Sequence, residues 1–165
     1  GVDTIEHASL IDQEGLDLAQ KNGAFLSMDI LNTEYTQTQG PKRGELEEFL
    51  RKDREVAQAQ RDNFRKAVQM GIKLTMGTDT GVHPHQDAPK QLAYMVQYGM
   101  TPMQALIAGT VDAARAGGLE QVGSLEPGKA ADLVAMPGNP LNDIRAVLGV
   151  HFVMRDGIVF KGEAR

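Results

Sequence analysis

The stretch Lys73–Asp87, KLTMGTDTGVHPHQD, decides how this chain is read. It begins as an apolar, β-prone run through Leu74 and Met76, narrows at Gly77 and ends on Asp79. A polar loop carrying His83, Pro84 and His85 follows. An aspartate at the end of a short strand is commonly a turn former. In a parallel α/β sheet it can instead face a reaction centre, because functional groups gather at the carboxyl ends of the strands.

The neighbouring segments supply the sheet. VDTIEHAS reads as a strand ending near His7. DQEGLDLAQKNG follows as a helix, with Asp12 as N-cap and Gly23 as the stop. AFLSMDI is a second strand, with Asp29 near its end. The segment from Asn32 to Gly44 carries Thr, Gln, Gly and Pro without apolar periodicity and is expected to be a loop. Glu45 to Met70 has a helical stripe interrupted by Asp53 and Gln60, and Gly71 ends it. After the third strand come a helix over Lys90–Tyr98, a second opened by Thr101, Pro102 and a capping-box Gln104, and a short piece, VDAARAGG. From Leu119 onward Pro-Gly, Gly-Asn-Pro and Asp156-Gly157 break up short β-prone runs, and Asp-Gly predicts a hairpin. Residues 1–118 therefore read as β/α units and 119–165 as a small β region. Repeated β/α units predict a parallel sheet, open or closed into a barrel. A complete (β/α)8 barrel needs about 250 residues, so this chain of 165 could hold its last three strands.

Composition narrows the function classes. The chain is 41% hydrophobic and 24% charged, with a formal net charge of −5, which fits a folded globular protein. Its charges are interspersed, without the basic face that nucleic-acid binding requires. No apolar run approaches the ~20 residues of a membrane span. Zero cysteines exclude disulfides and thiolate metal sites and fit a cytoplasmic or a periplasmic protein. The start at Gly1-Val2-Asp3 is expected to lie inside a longer protein of which this is the C-terminal part.

Three polar residues fall at expected strand ends: His7, Asp29 and Asp79. Imidazole and carboxylate together suit a divalent cation such as zinc. Asp79 could also serve as a general base on water, and each of the three could be a satisfied structural group. His83-Pro84-His85 offers two imidazoles, but a proline between them disfavours a strand that would aim both one way. A loop facing solvent or substrate is the expected role. Tyr35, in the expected loop after the second strand, could reach the same mouth as a substrate contact. The methionines Met70, Met76, Met95, Met100 and Met103 read as packing, and the charges of EEFLRKDRE as a solvated helix face. Neither a nucleophile elbow nor a phosphate-cradling glycine loop occurs.

Taken in order, GVDTIEHASLID, GIKLTMGTDTG, GMTPMQALIAGT, AARAGGL, VGSLEPGKAADLVAMPGNPLNDI and VMRDGIVFK resemble the C-terminal half of the amidohydrolase superfamily. The nearest branch is similar to the imidazolonepropionase-related and prolidase-like metal-dependent hydrolases. The resemblance implies an α/β fold: the last three strands of a (β/α)8 TIM barrel plus the C-terminal part of a small β-sandwich. It implies hydrolysis of a C–N bond by metal-activated water, with one or two divalent ions, zinc first, in the full-length parent. His7 matches the ligand at the end of the sixth barrel strand. Asp79 matches the eighth-strand aspartate, which touches metal and takes a proton from the nucleophilic water. His85 falls in a loop similar to substrate-side loops of this branch. The substrate would be a small molecule or dipeptide-like, and the parent is expected to be a homo-oligomer. The ligands of the earlier barrel strands are absent from this chain, so it is expected to be inactive alone, and the open parallel strand edge and unpartnered helix faces of a cut barrel are expected to make it self-associate. The competing expectations are a non-catalytic association module and a deaminase-like member with one metal.

Overall fold

Three short parallel strands set the frame. In the computed structural model, which describes residues 1–162, β1 (Thr4–Glu6), β2 (Phe25–Ser27) and β3 (Leu74–Thr75) pair side by side in that order. Glu6 lies beside Ser27, and Ser27 beside Thr75, so all three carboxyl ends finish at one edge. The right-handed plan of a parallel sheet needs a crossover between strands, and helices supply it. Helix α1 (Gln13–Asn22) connects β1 to β2; the Asp12 side chain accepts from the Gly15 N–H at 2.8 Å, and Gly23 closes it in the left-handed conformation.

The segment expected as a loop is a helix. Between β2 and β3 lie α2 (Ile30–Arg43) and α3 (Glu47–Met70). Its Thr- and Gln-rich sequence hides an amphipathic role: Ile30, Leu31, Asn32 and Thr33 bury its first turn, and the rest leans on α3. Gln37 Nε2 donates to the Leu50 carbonyl at 3.1 Å and also to Asp53, while Arg61 Nη2 meets Glu34 at 2.6 Å. Tertiary packing overrides a weak local propensity here. The polar breaks in the α3 stripe have the same origin, since Asp53 answers Gln37 and Gln60 turns inward, only 2% exposed.

After β3 the chain forms α4 (Lys90–Gln97), α5 (Pro102–Ala108) and α6 (Val111–Ala116). The capping box of Thr101 and Gln104 is present as expected. A second sheet of β4 (Leu133–Ala135), β5 (Phe152–Arg155) and β6 (Ile158–Lys161) is antiparallel in sequential order. The expected hairpin joins β5 to β6: Asp156 and Gly157 both have positive φ, 48° and 77°, as a type I′ turn requires.

One hydrophobic core holds these parts together. Leu16, Leu26, Met28, Ile30, Phe64 and Met95 are fully buried in it. Ile144 and Val147 join it from a 3₁₀ turn that packs on α4 and so ties the C-terminal region to the helices. Each such side chain contributes roughly 1.5–3 kcal/mol by burial. Of the methionines expected to pack, Met95 and Met100 are buried, while Met103 is half exposed. Among the described residues no helix is long and apolar enough to cross a membrane.

Candidate metal centre

The common edge of the three strands gathers the polar residues. The His7 N–H continues the β1–β2 ladder, donating to the Ser27 carbonyl at 2.8 Å. His7 and Ala8 then turn through the left-handed region, with φ of 62° and 47°. Asp79 does the same after β3, with φ of 45°. Such conformations are disfavoured for residues with a Cβ and persist where the surroundings impose them. Here three of them turn the chain away from the strand ends at one place. Gly77 allows β3 to approach β2 there: a Cβ on it would lie 2.0 Å from Ser27 Oγ.

His7, Asp29 and Asp79 each offer one donor atom, and these lie within 4.8 Å of one another. His7 Nδ1 is 3.1 Å from Asp29 Oδ2. Asn32 Nδ2 bridges the two carboxylates, at 2.6 Å from Asp29 Oδ2 and 3.2 Å from Asp79 Oδ2. Gln60 Nε2 donates to Asp29 Oδ1 at 3.2 Å. Asp29 is buried, whereas His7 and Asp79 are exposed.

This donor set fits a divalent cation. Two carboxylates share one amide, and among the described residues neither pairs with a lysine or arginine. Like charges this close repel, and a bound cation removes the conflict. The amide oxygens of Asn32 and Gln60 are buried without a protein partner.

The loop after Asp79 divides the two remaining histidines. His83 is buried, with Nε2 2.9 Å from the Thr78 carbonyl and Nδ1 3.0 Å from the Pro84 carbonyl. It therefore anchors the loop from inside. His85 lies exposed on a 3₁₀ turn, His85–Asp87. Tyr35 stands on α2 and not in a loop, its ring 5.9 Å from that of His83. Arg43 covers the Tyr35 ring and donates to the Val82 carbonyl at 3.2 Å. Neither His83 nor His85 belongs to the donor cluster.

A second polar seam lies behind α2. Glu34 accepts from Tyr98 Oη at 2.8 Å and pairs with Arg61. Burial, and then the hydrogen bond to Glu34, push the Tyr98 hydroxyl above the usual phenol range. Burial also raises the Asp53 carboxyl above its ordinary value, against the lowering effect of Gln37.

The amidohydrolase family model matches residues 1–159. The chain belongs to the amidohydrolase family. Ochratoxinase of Aspergillus niger is 28% identical over 169 residues, covering 98% of this chain and 34% of its own length. Imidazolonepropionase of Deinococcus deserti is 38% identical over 88 residues, 52% of this chain and 22% of the relative. A crystal structure of a Xaa-Pro dipeptidase with methionine bound in the active site superposes with a TM-score of 0.91 at 36% identity, covering 98% of this chain and 40% of that one. The chain thus spans about a third of the curated ochratoxinase relative.

Sequence reasoning placed His7 and Asp79 at strand ends as candidate ligands and left Asp29 there as structural. It missed Asn32 and Gln60. Their only signals were a polar residue straight after a strand end and a glutamine breaking an apolar stripe.

Proposed function

We propose that this chain is the C-terminal segment of a metal-dependent hydrolase that cleaves a C–N bond of the amide, dipeptide or cyclic-amide class. Residues 1–118 supply the last three strand–helix units of a (β/α)8 barrel, and 119–165 the closing strands of a small β-sandwich. The observation that carries this reading is the His7–Asp29–Asp79 cluster at the carboxyl edge of a parallel sheet. The relatives' names support the bond class: a Xaa-Pro dipeptidase and an imidazolonepropionase.

His7 and Asp79 would hold the ion, zinc first. A divalent metal supplies Lewis acidity and lowers the pKa of water from 15.7 toward ~7. Asp79, exposed and held by Asn32 through Oδ2, then takes a proton from water as the oxygen attacks the carbonyl carbon. It returns that proton to the departing nitrogen as the C–N bond breaks, so one carboxylate serves as base and then acid. Tyr35, packed against the His83-anchored loop, and His85, exposed beyond it, are the substrate-side residues of this reading. Catalytic zinc sites use three protein ligands as a rule, and this reading takes two from this chain, His7 and Asp79, so the isolated chain is expected not to turn over substrate.

A panel of dipeptides and N-acyl amino acids, assayed with Zn²⁺ against this chain and against the parent protein, tests the reading. Turnover is expected in the parent only, lost on Asp79→Asn. Full turnover in the Asp79→Asn parent would refute the role of Asp79.

A second reading, association through an apolar surface, is favoured by one feature. Leu125, Phe160 and Ile158 are 75%, 70% and 62% exposed on the C-terminal region. Self-association of the isolated chain is the expected result in light scattering.

A further inference from the structure

We propose that Asn63 is a positioning residue of the centre: its side-chain amide holds the turn after β1 in the backbone conformation that sets His7 at the carboxyl edge. That this placement serves a cation rests on the metal reading above; the placement itself does not.

Asparagine is a weak helix former, because its short amide competes for backbone groups. Asn63 nevertheless sits deep inside α3 and is only 8% exposed. Its side chain donates to a distant loop: Asn63 Nδ2 reaches the Ser9 carbonyl at 3.1 Å and the Ile11 carbonyl at 2.8 Å. A primary amide nitrogen carries two hydrogens, so these two bonds use its full donor capacity. Both partners are carbonyl oxygens, which only accept, so the nitrogen of the amide and not its oxygen must face them.

Ser9 and Ile11 follow directly on the strained pair. His7 and Ala8 have φ of 62° and 47°, and two successive residues with Cβ atoms in the left-handed region are costly. The bonds inside the turn are local: the Ala8 N–H donates to the Glu6 carbonyl at 2.7 Å and the Ile11 N–H to the Ala8 carbonyl at 3.2 Å. The Ser27 carbonyl fixes the start of the turn by accepting from the His7 N–H. Asp12 fixes its end by capping α1. Among the described residues, the hydrogen bonds that tie Ser9 and Ile11 to another element both come from Asn63.

The same helix face serves the second strand end. Gln60, three residues before Asn63 and so on the same side of α3, donates to Asp29 Oδ1 at 3.2 Å. One buried amide of α3 thus holds the turn after β1, and another meets the carboxylate after β2. Asp79, after β3, is served by a different element: its side chain accepts from Asn32 on α2. Loss of the Asn63 amide should therefore release the His7 end of the cluster and leave the Asp79 end in place.

The test is NMR of the metal-free chain. In the wild type, the Asn63 side-chain protons should exchange with solvent about 10-fold or more slower than those of the exposed Asn142. His7 and Ala8 should show the carbon shifts and three-bond couplings of positive φ. In Asn63→Ala these should move toward negative-φ values, while those of Asp79, whose φ is 45°, stay as they are. Asn63→Asp keeps the size but, ionised, has no N–H to give, and should behave the same way. Variants in which His7 and Ala8 keep positive φ would overturn the proposal, as would a general loosening that moves the His7 and Asp79 turns together. A wild-type Asn63 amide that exchanges as fast as that of Asn142 would overturn it without any variant. Titration with Zn²⁺ separates the two claims. A loss of about 10-fold in affinity at His7 on Asn63→Ala extends the role to metal. Unchanged affinity in a variant whose turn has moved would overturn the positioning role. The expected turn shifts, with no Zn²⁺ response at His7 in the wild type, sustain the placement and count against the metal reading.

Discussion

Replacing Gly77 with alanine tests how tightly β3 must approach β2 for Asp79 to reach the site. Gly77 lies outside the left-handed region, so alanine is acceptable to its backbone and the cost is steric. The added Cβ would lie 2.0 Å from Ser27 Oγ, 3.3 Å from Ser27 Cβ and 3.5 Å from the Ser27 carbonyl carbon. The first distance is impossible without movement, and Ser27, only 8% exposed, has little room to turn. Overpacking of this kind costs about 1–3 kcal/mol. Removing the hydroxyl should relieve most of it, because the next contact, 3.3 Å, is tight but tolerable. Urea unfolding of Gly77→Ala, Ser27→Ala and the double variant gives the coupling directly. The expected result is a destabilised Gly77→Ala and a double variant that recovers about 1 kcal/mol or more of the loss. A Gly77→Ala chain within about 0.5 kcal/mol of wild type, or a double variant no better than the single, would refute the steric account.

The other predictions concern the frame around the site. Phe64→Ala should cost about 3–5 kcal/mol in chemical denaturation, since the ring is fully buried in the core. Thr101→Ala should lose about 1 kcal/mol by removing one half of the capping box on α5. Asp53 is held above its ordinary pKa by burial, so the folded state retains its proton after the unfolded state has released it. Its contribution therefore favours folding below the unfolded value and is lost as pH rises from that value through the higher folded one. Asp53→Asn, which keeps an acceptor for Gln37, should unfold at a higher temperature than wild type near neutral pH, and the gap should close in acid. A gap that widens in acid would reverse the assignment.

What could be read from the chain alone follows from where its signals sit. Asp12, Gly23, Thr101, Gln104, Asp156 and Gly157 act through bonds or dihedrals within a few residues, and the structure has them as expected. His7 and Asp79 were legible because strand ends are marked by the apolar runs before them. Helix α2 was not, because its stability comes from Gln37 and Glu34 meeting partners on α3 and Tyr98 just past α4, at separations that no local pattern carries. The surroundings of Asp29 were hidden for the same reason. Its partners Gln60 and His7 lie far from it in sequence, and Gln60 looked like a flaw in an apolar stripe. His83 and His85 look equivalent in HPHQD, yet only the folded loop buries the first and exposes the second.

In the proposed reading His7 and Asp79 form an open cation-binding pair at the carboxyl edge of the sheet. The most direct measurement is paramagnetic broadening of the ¹⁵N amide spectrum of this chain by substoichiometric Mn²⁺. The account predicts broadening centred on His7, Ala8, Asp79 and Thr80, abolished at those residues by Asp79→Asn combined with His7→Ala. Broadening confined to the exposed carboxylates of α3, such as Glu47 and Glu48, with His7 and Asp79 untouched would contradict it.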